Sequence, residues 1–208
     1  MSSYNQIAGR SVERLAALSD GIFAVAMTLL VLDLHVPVGH TIHTEQDLWK
    51  ALVGLSPRIL IYLMSFLTLG IFWVGQQAQL NYFKSTDRNL TWLHIAFLFT
   101  ISLMPFSTSL LAEFVEYRVA LLAYWLNILL LGIVLYGSWR YAARKALFND
   151  EVSEEVDAAV RKRIVVAQSL YALGAALCAI GTYFSIAFIV LIQLNYAIGI
   201  GFRRSLRH

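Results

Sequence analysis

Ser19-Asp20-Gly21-Ile22-Phe23-Ala24-Val25-Ala26-Met27-Thr28-Leu29-Leu30-Val31-Leu32-Asp33 decides the fold. Between its two acids run twelve residues of which only Thr28 is polar, and the apolar stretch extends back to Val12 and on to Leu34. A helix crossing a bilayer needs about 20 mostly apolar residues, so 12–34 reads as a transmembrane span. Asp20 carries the information. It lies about seven residues inside the span, roughly 10 Å at 1.5 Å per residue, where an acid costs several kcal/mol unless partnered or hydrated. Arg14, six residues earlier, falls on another helix face, so the partners must come from other helices.

Five further stretches have the same character: 57–80, 90–112, 118–139, 162–183 and 185–202, the last pair joined by a tight connection around Thr182–Ser185. Together with 12–34 they make an all-α bundle of six transmembrane helices, with residues 1–208 forming a single transmembrane domain. Composition agrees. Of 208 residues 59% are hydrophobic and 14% charged, against about a quarter charged in an average soluble domain. The first span begins late and carries an acid, so it is expected to be retained rather than cleaved as a signal peptide. The single cysteine, Cys178, excludes an intramolecular disulfide and reads as a small buried hydrophobe.

The connections set the orientation. The N-terminus, the 81–89 loop, the 140–163 loop and the C-terminus together hold 13 of the 16 Lys and Arg; Lys50, Arg58 and Arg118 are the other three. By the positive-inside rule both termini are cytoplasmic, as an even number of spans requires. The net charge of +3 is thereby accounted for by topology, without a nucleic-acid partner; the partner is the lipid bilayer. In 35–56, Thr44-Glu45-Gln46-Asp47 is a helix-start signal ahead of a short amphipathic helix at the interface. In 140–161, Ser153-Glu154-Glu155 caps a helix running into the fifth span. His35, His40 and His43 fall in the external loop and read as solvated rather than as a metal site. No metal motif, nucleophile elbow or phosphate loop is visible, so an enzyme is not expected.

The first helix has two faces. At about 100° per residue Val25, Thr28, Leu29 and Leu32 share one narrow stripe, which Gly21 and Leu18 extend inward, flanked by Ala24 and Ala26. Asp20 points about 140° away from Val25. Ser19, Asp20, Trp73, Gln76 and His94 lie at one depth and form a candidate polar layer, with Gln77 nearby; indole, amide and imidazole N–H groups suit a carboxylate. Periodicity favours Asp20 and His94 as anchors between helices. The competing reading makes them a proton relay. Asn127, Gln168, Gln193 and Asn195 read as hydrogen bonds between helices.

Arg14-x-x-x-Leu18-Ser19-Asp20 resembles the Arg-x-x-x-Phe-Ser-Asp signature of the transmembrane protein 175 family, potassium channels of prokaryotes and of the lysosome. Gly21-x-Phe23-Ala24-Val25-Ala26-x-Thr28, Trp73 and Pro105-Phe106-Ser107-Thr108 extend the likeness, which covers the whole chain. Leu18 replaces the usual Phe. Gln76 stands where the family commonly has His, and His94 where it has Asn, which looks like an exchange of polar partners within the layer. The resemblance implies a multi-pass protein of the prokaryotic cell membrane. It implies a homotetramer with four first helices around a pore, apolar constrictions at Val25, Leu29 and Leu32, and selectivity at Thr28. Arg14 belongs to the signature and joins the structural polar layer with Ser19 and Asp20. The permeant species is the potassium ion, with no cofactor and no re-entrant filter loop. Asp33 is a candidate pore-mouth residue, or an ordinary interfacial acid. The alternative function is a proton leak pathway or proton-coupled transporter using Asp20 and His94.

Overall fold

The computed structural model describes residues 11–35, 39 and 42–205, with side chains to Ala197; Arg10, His40 and Arg207 lie outside the described residues. The described elements are helices. Helix α1 (Val12–Leu29) starts at Ser11, whose side chain accepts from the Arg14 backbone N–H, and continues into a 3-10 turn, Leu30–Asp33. Helix α2 (Glu45–Gly54) carries a full capping box between Thr44 and Asp47, as the sequence signal implies. Leu48, Trp49, Leu52 and Val53 are exposed on it. Then follow α3 (Ser56–Asn81), α4 (Arg88–Ser102), α5 (Met104–Glu113), α6 (Arg118–Arg144), α7 (Glu154–Ala176) and α8 (Thr182–Ser205).

Among the described residues four segments are long and apolar enough to cross a membrane: Val12–Asp33, Ser56–Asn81, Arg88–Glu113 and Arg118–Arg144. The chain is therefore an all-helical membrane bundle. The expected third span is one segment with a break: a turn at Leu103 separates α4 from α5, and Pro105 has no N–H to continue the hydrogen-bond ladder. The fourth runs five residues past the expected 139, because Ala142 is buried with Trp139 against Leu147 and Phe148. The two remaining apolar stretches correspond to α7 and α8, with a boundary correction. Helix α7 starts at Glu154, where Ser153 accepts from Val156 N–H and three acids in the first turn favour the helix N-terminus. It ends at Ala176 rather than 183, passes through a 3-10 turn (Leu177–Ala179), and α8 resumes at Thr182. The connection thus falls at Ile180–Gly181 instead of Thr182–Ser185; glycine is a poor helix interior residue.

Packing builds two cores. The larger unites Phe23, Ala26 and Leu30 of α1 with Met64, Phe97, Ile101 and Tyr124 from the next spans. The smaller gathers Leu80, Phe83, Leu90, Trp139 and Ala142. There Phe83 and Phe148 stack, and Lys84 N–H donates to Leu147 O at 2.9 Å while Asn149 N–H donates to Tyr82 O at 2.9 Å. Helix α6 ends at this clasp through Ala146, which sits at φ 53°.

Candidate functional site

Helix α1 packs on α3, α4 and α5 through Leu15, Ser19, Phe23, Ala26 and Leu30, a face of small and large residues alternating one turn apart. Phe23 fixes the rotation, its ring 6.1 Å from Phe97 in a tilted pair. The opposite face is bare. Val25 is 55% exposed, Leu29 43% and Leu32 66%, and Thr28, Gly21 and Leu18 lie open beside them. A Cβ built on Gly21 meets nothing within 4 Å. The four stripe residues therefore share one outward side of the bundle.

Two details refine that side. Thr28 Oγ1 donates back to the helix, 3.0 Å from Ala24 O and 2.9 Å from Val25 O. Its single proton is used, so its lone pairs are what it offers outward. Leu32 lies in the 3-10 turn, which begins one residue after Leu29. The tighter winding there turns Leu32 closer to the line of Leu29 than an α-helix would. Asp33 is half-buried and accepts from Ser109 Oγ at 3.0 Å, so this acid is tied to α5.

The polar layer is largely assembled between α1 and α3. Asp20 Oδ1 accepts from Trp73 Nε1 at 2.8 Å and from Gln77 Nε2 at 2.7 Å. Ser19 is fully buried, donates to Leu15 O, and accepts from Gln76 Nε2 at 2.8 Å. Adjacent residues of α1 thus take adjacent glutamines of α3. Sequence spacing places Gln77 in the inner part of α3, but only the relative rotation of the helices makes it, rather than Gln76, the second donor to Asp20. His94 is 3% exposed and meets Phe83 edge-on at 6.1 Å. It makes no hydrogen bond to Asp20 among the described residues, and its Nδ1 is unpartnered. The Arg14 side chain is exposed and joins no hydrogen bond or ion pair among the described residues.

Behind this face the bundle carries a buried network. Thr108 donates to Ser65 at 2.8 Å, Ser65 and Thr68 meet the Tyr124 hydroxyl, and Gln193 Nε2 reaches Thr68 at 2.6 Å. Asn127 bonds Ser107 at 3.1 Å, and Gln168 Nε2 donates to Ile128 O at 3.3 Å. Asn195 is exposed. Among the described residues no group of three or more His, Cys, Asp or Glu could hold a metal ion.

A membrane bundle whose first helix buries one face and leaves the other bare has the architecture of a multi-pass membrane protein. Residues 14–105 match the family model described as the endosomal/lysosomal potassium channel TMEM175. A potassium channel of Streptomyces collinus is 31% identical over 188 residues, 88% of this chain and 90% of that protein. A potassium channel of Chamaesiphon minutus is 32% identical over 190 residues, covering 89% and 93%. The crystal structure of a lysosomal potassium-selective channel TMEM175 homolog from Chamaesiphon minutus superposes with a TM-score of 0.78 at 30% identity, over 90% of this chain and 96% of that one. The chain belongs to the TMEM175 family, a family of channels and not of enzymes.

Proposed function

We propose that this chain is a potassium-favouring cation channel that conducts passively through a central pore, with four copies each contributing the bare face of α1. All six apolar helices cross the membrane in this reading, and both termini lie on the basic, cytoplasmic side. One observation carries it. In a member of a channel family, Val25, Thr28, Leu29 and Leu32 form an apolar side of the first helix that no other part of the described chain covers. A second side of the same helix is bound firmly to α3 by Ser19 and Asp20.

Rings of Val25, Leu29 and Leu32 form apolar constrictions that block ions by dewetting when narrow. When wider they favour the cation that sheds water more cheaply, potassium over sodium. Thr28 presents hydroxyl lone pairs to that cation, because its proton is held by the helix. Arg14 falls on the stripe side, and its charge would repel cations, so it turns into a contact between copies. Asp33, held by Ser109, acts at the mouth only as a fixed negative charge.

Purified protein in liposomes tests this. Potassium flux should exceed sodium flux with no added energy source, and Leu29→Ala should change conductance or selectivity. No flux above empty liposomes removes the channel reading. Unchanged conduction in Leu29→Ala, with Leu29→Cys inaccessible to thiol reagents, removes the stripe from the pore. Proton flux that requires both Asp20 and His94 would favour the relay instead.

A further inference from the structure

Helices α3, α7 and α8 enclose a lateral crevice. Two hollows open to the surface lie in it and share Ile71, Arg163, Ala167, Tyr171 and Tyr196. A third, between α3 and α8, includes Ile71, Tyr196 and Trp73. The walls are apolar, and Val166 and Leu170 are exposed at the rim. One end differs. Lys162 and Arg163 line the second cavity at the end of the bundle where the basic residues gather. The Arg163 guanidinium lies 4.9 Å from the centre of the Tyr196 ring, and its Nε donates to the Tyr196 hydroxyl. Neighbouring Arg161 is neutralised by Asp157 at 2.8 Å, but among the described residues neither Lys162 nor Arg163 pairs with a carboxylate.

We infer that this crevice holds an anionic phospholipid of the leaflet at the basic end. Its acyl chain lies along Ile71, Val166, Ala167 and Leu170, and its phosphate sits against Lys162 and Arg163. Charge complementarity selects this occupant: two unpaired cations at the mouth of an apolar slot match a ligand that is anionic at one end only. Tyr196 is suited to the boundary between the two, with an apolar ring and a polar tip. A headgroup bearing hydroxyls also answers Gln79. Its amide oxygen is buried and takes no hydrogen bond among the described residues, and it lines the same cavity as Arg163. The site does not depend on the pore reading.

Native mass spectrometry of the purified full chain tests it, with phosphatidylglycerol and phosphatidylcholine of matched acyl chains supplied together. Each basic side chain near a headgroup gives roughly a fivefold preference for the anionic lipid, so the pair gives roughly 25-fold. The double variant Lys162→Gln/Arg163→Gln should abolish that preference; both side chains are exposed, so the fold is kept. Ala167→Phe, which fills the slot and leaves the charges, should lower retention of the lipid as well. Arg144→Gln, at the end of α6, should leave it unchanged. Equal retention of the two lipids, a preference that survives the double variant, or competition by soluble glycerol phosphate as effective as the lipid would each overturn the assignment.

Discussion

Removing the Asp20 carboxylate should loosen α1 from α3 in a graded way. In Asp20→Ala the Trp73 indole at 2.8 Å and the Gln77 amide at 2.7 Å both lose their acceptor. A hydrogen bond to a charged group contributes about 1.5–3 kcal/mol. Trp73 is 40% exposed and Asp20 is open at the surface of the bundle, so the lower figure applies and the loss is about 3 kcal/mol. Asp20→Asn keeps an oxygen in the same place. Two neutral hydrogen bonds of about 1 kcal/mol each then remain, and the loss falls to about 1 kcal/mol. Thermal unfolding in one fixed detergent, read by tryptophan fluorescence alongside the oligomer fraction on size exclusion, should rank wild type above Asp20→Asn above Asp20→Ala. Two results would refute the reasoning. Asp20→Ala as stable as wild type means the carboxylate does not anchor the helix. Asp20→Asn as damaged as Asp20→Ala means that charge, not acceptor position, is what matters.

Other outcomes follow from local geometry. Ala146 ends α6 at φ 53°, a conformation that costs an L-residue roughly 1 kcal/mol, so Ala146→Gly should stabilise the protein by up to about that amount, seen as a higher unfolding midpoint. A Cβ on Gly174 would lie 2.8 Å from Ile189 Cγ1, where α7 meets α8, so Gly174→Ala should destabilise by about 1–3 kcal/mol. Gly137→Ala is the matched control: nothing lies within 4 Å, so helix propensity alone acts, and the midpoint should hold or rise.

The apolar runs made the four membrane-length segments legible because lipid-facing helices need no pattern beyond length, and the caps at Thr44 and Ser153 were legible because they depend on residues three positions apart. The two sides of α1 were also readable, since 3.6-residue periodicity fixes which residues share a side. What periodicity cannot give is the rotation of one helix against another. Hence Gln77 takes its place beside Trp73 at Asp20, Gln76 goes to Ser19, and His94 turns to Phe83 instead of joining the carboxylate. The end of the fifth apolar stretch was misplaced for a different reason. Residues 177–184 are continuously apolar or small apart from Thr182, so hydropathy runs straight through a turn that hydrogen bonding defines.

The tightening of α1 at Leu30–Asp33 also sets a spacing. From Val25 to Leu29 is four α-helical steps, about 6 Å along the axis. From Leu29 to Leu32 is one α-helical step and two of the steeper winding, about 5.5 Å. In the proposed channel the three apolar rings become nearly evenly spaced rungs. A water molecule is about 2.8 Å across, so each interval has height for about two layers of water. An ion climbing this ladder would be stripped at a rung and could rehydrate in the gap above it, in nearly equal strides. With an ordinary α-helical end the last interval would be about 4.5 Å and the final stride cramped.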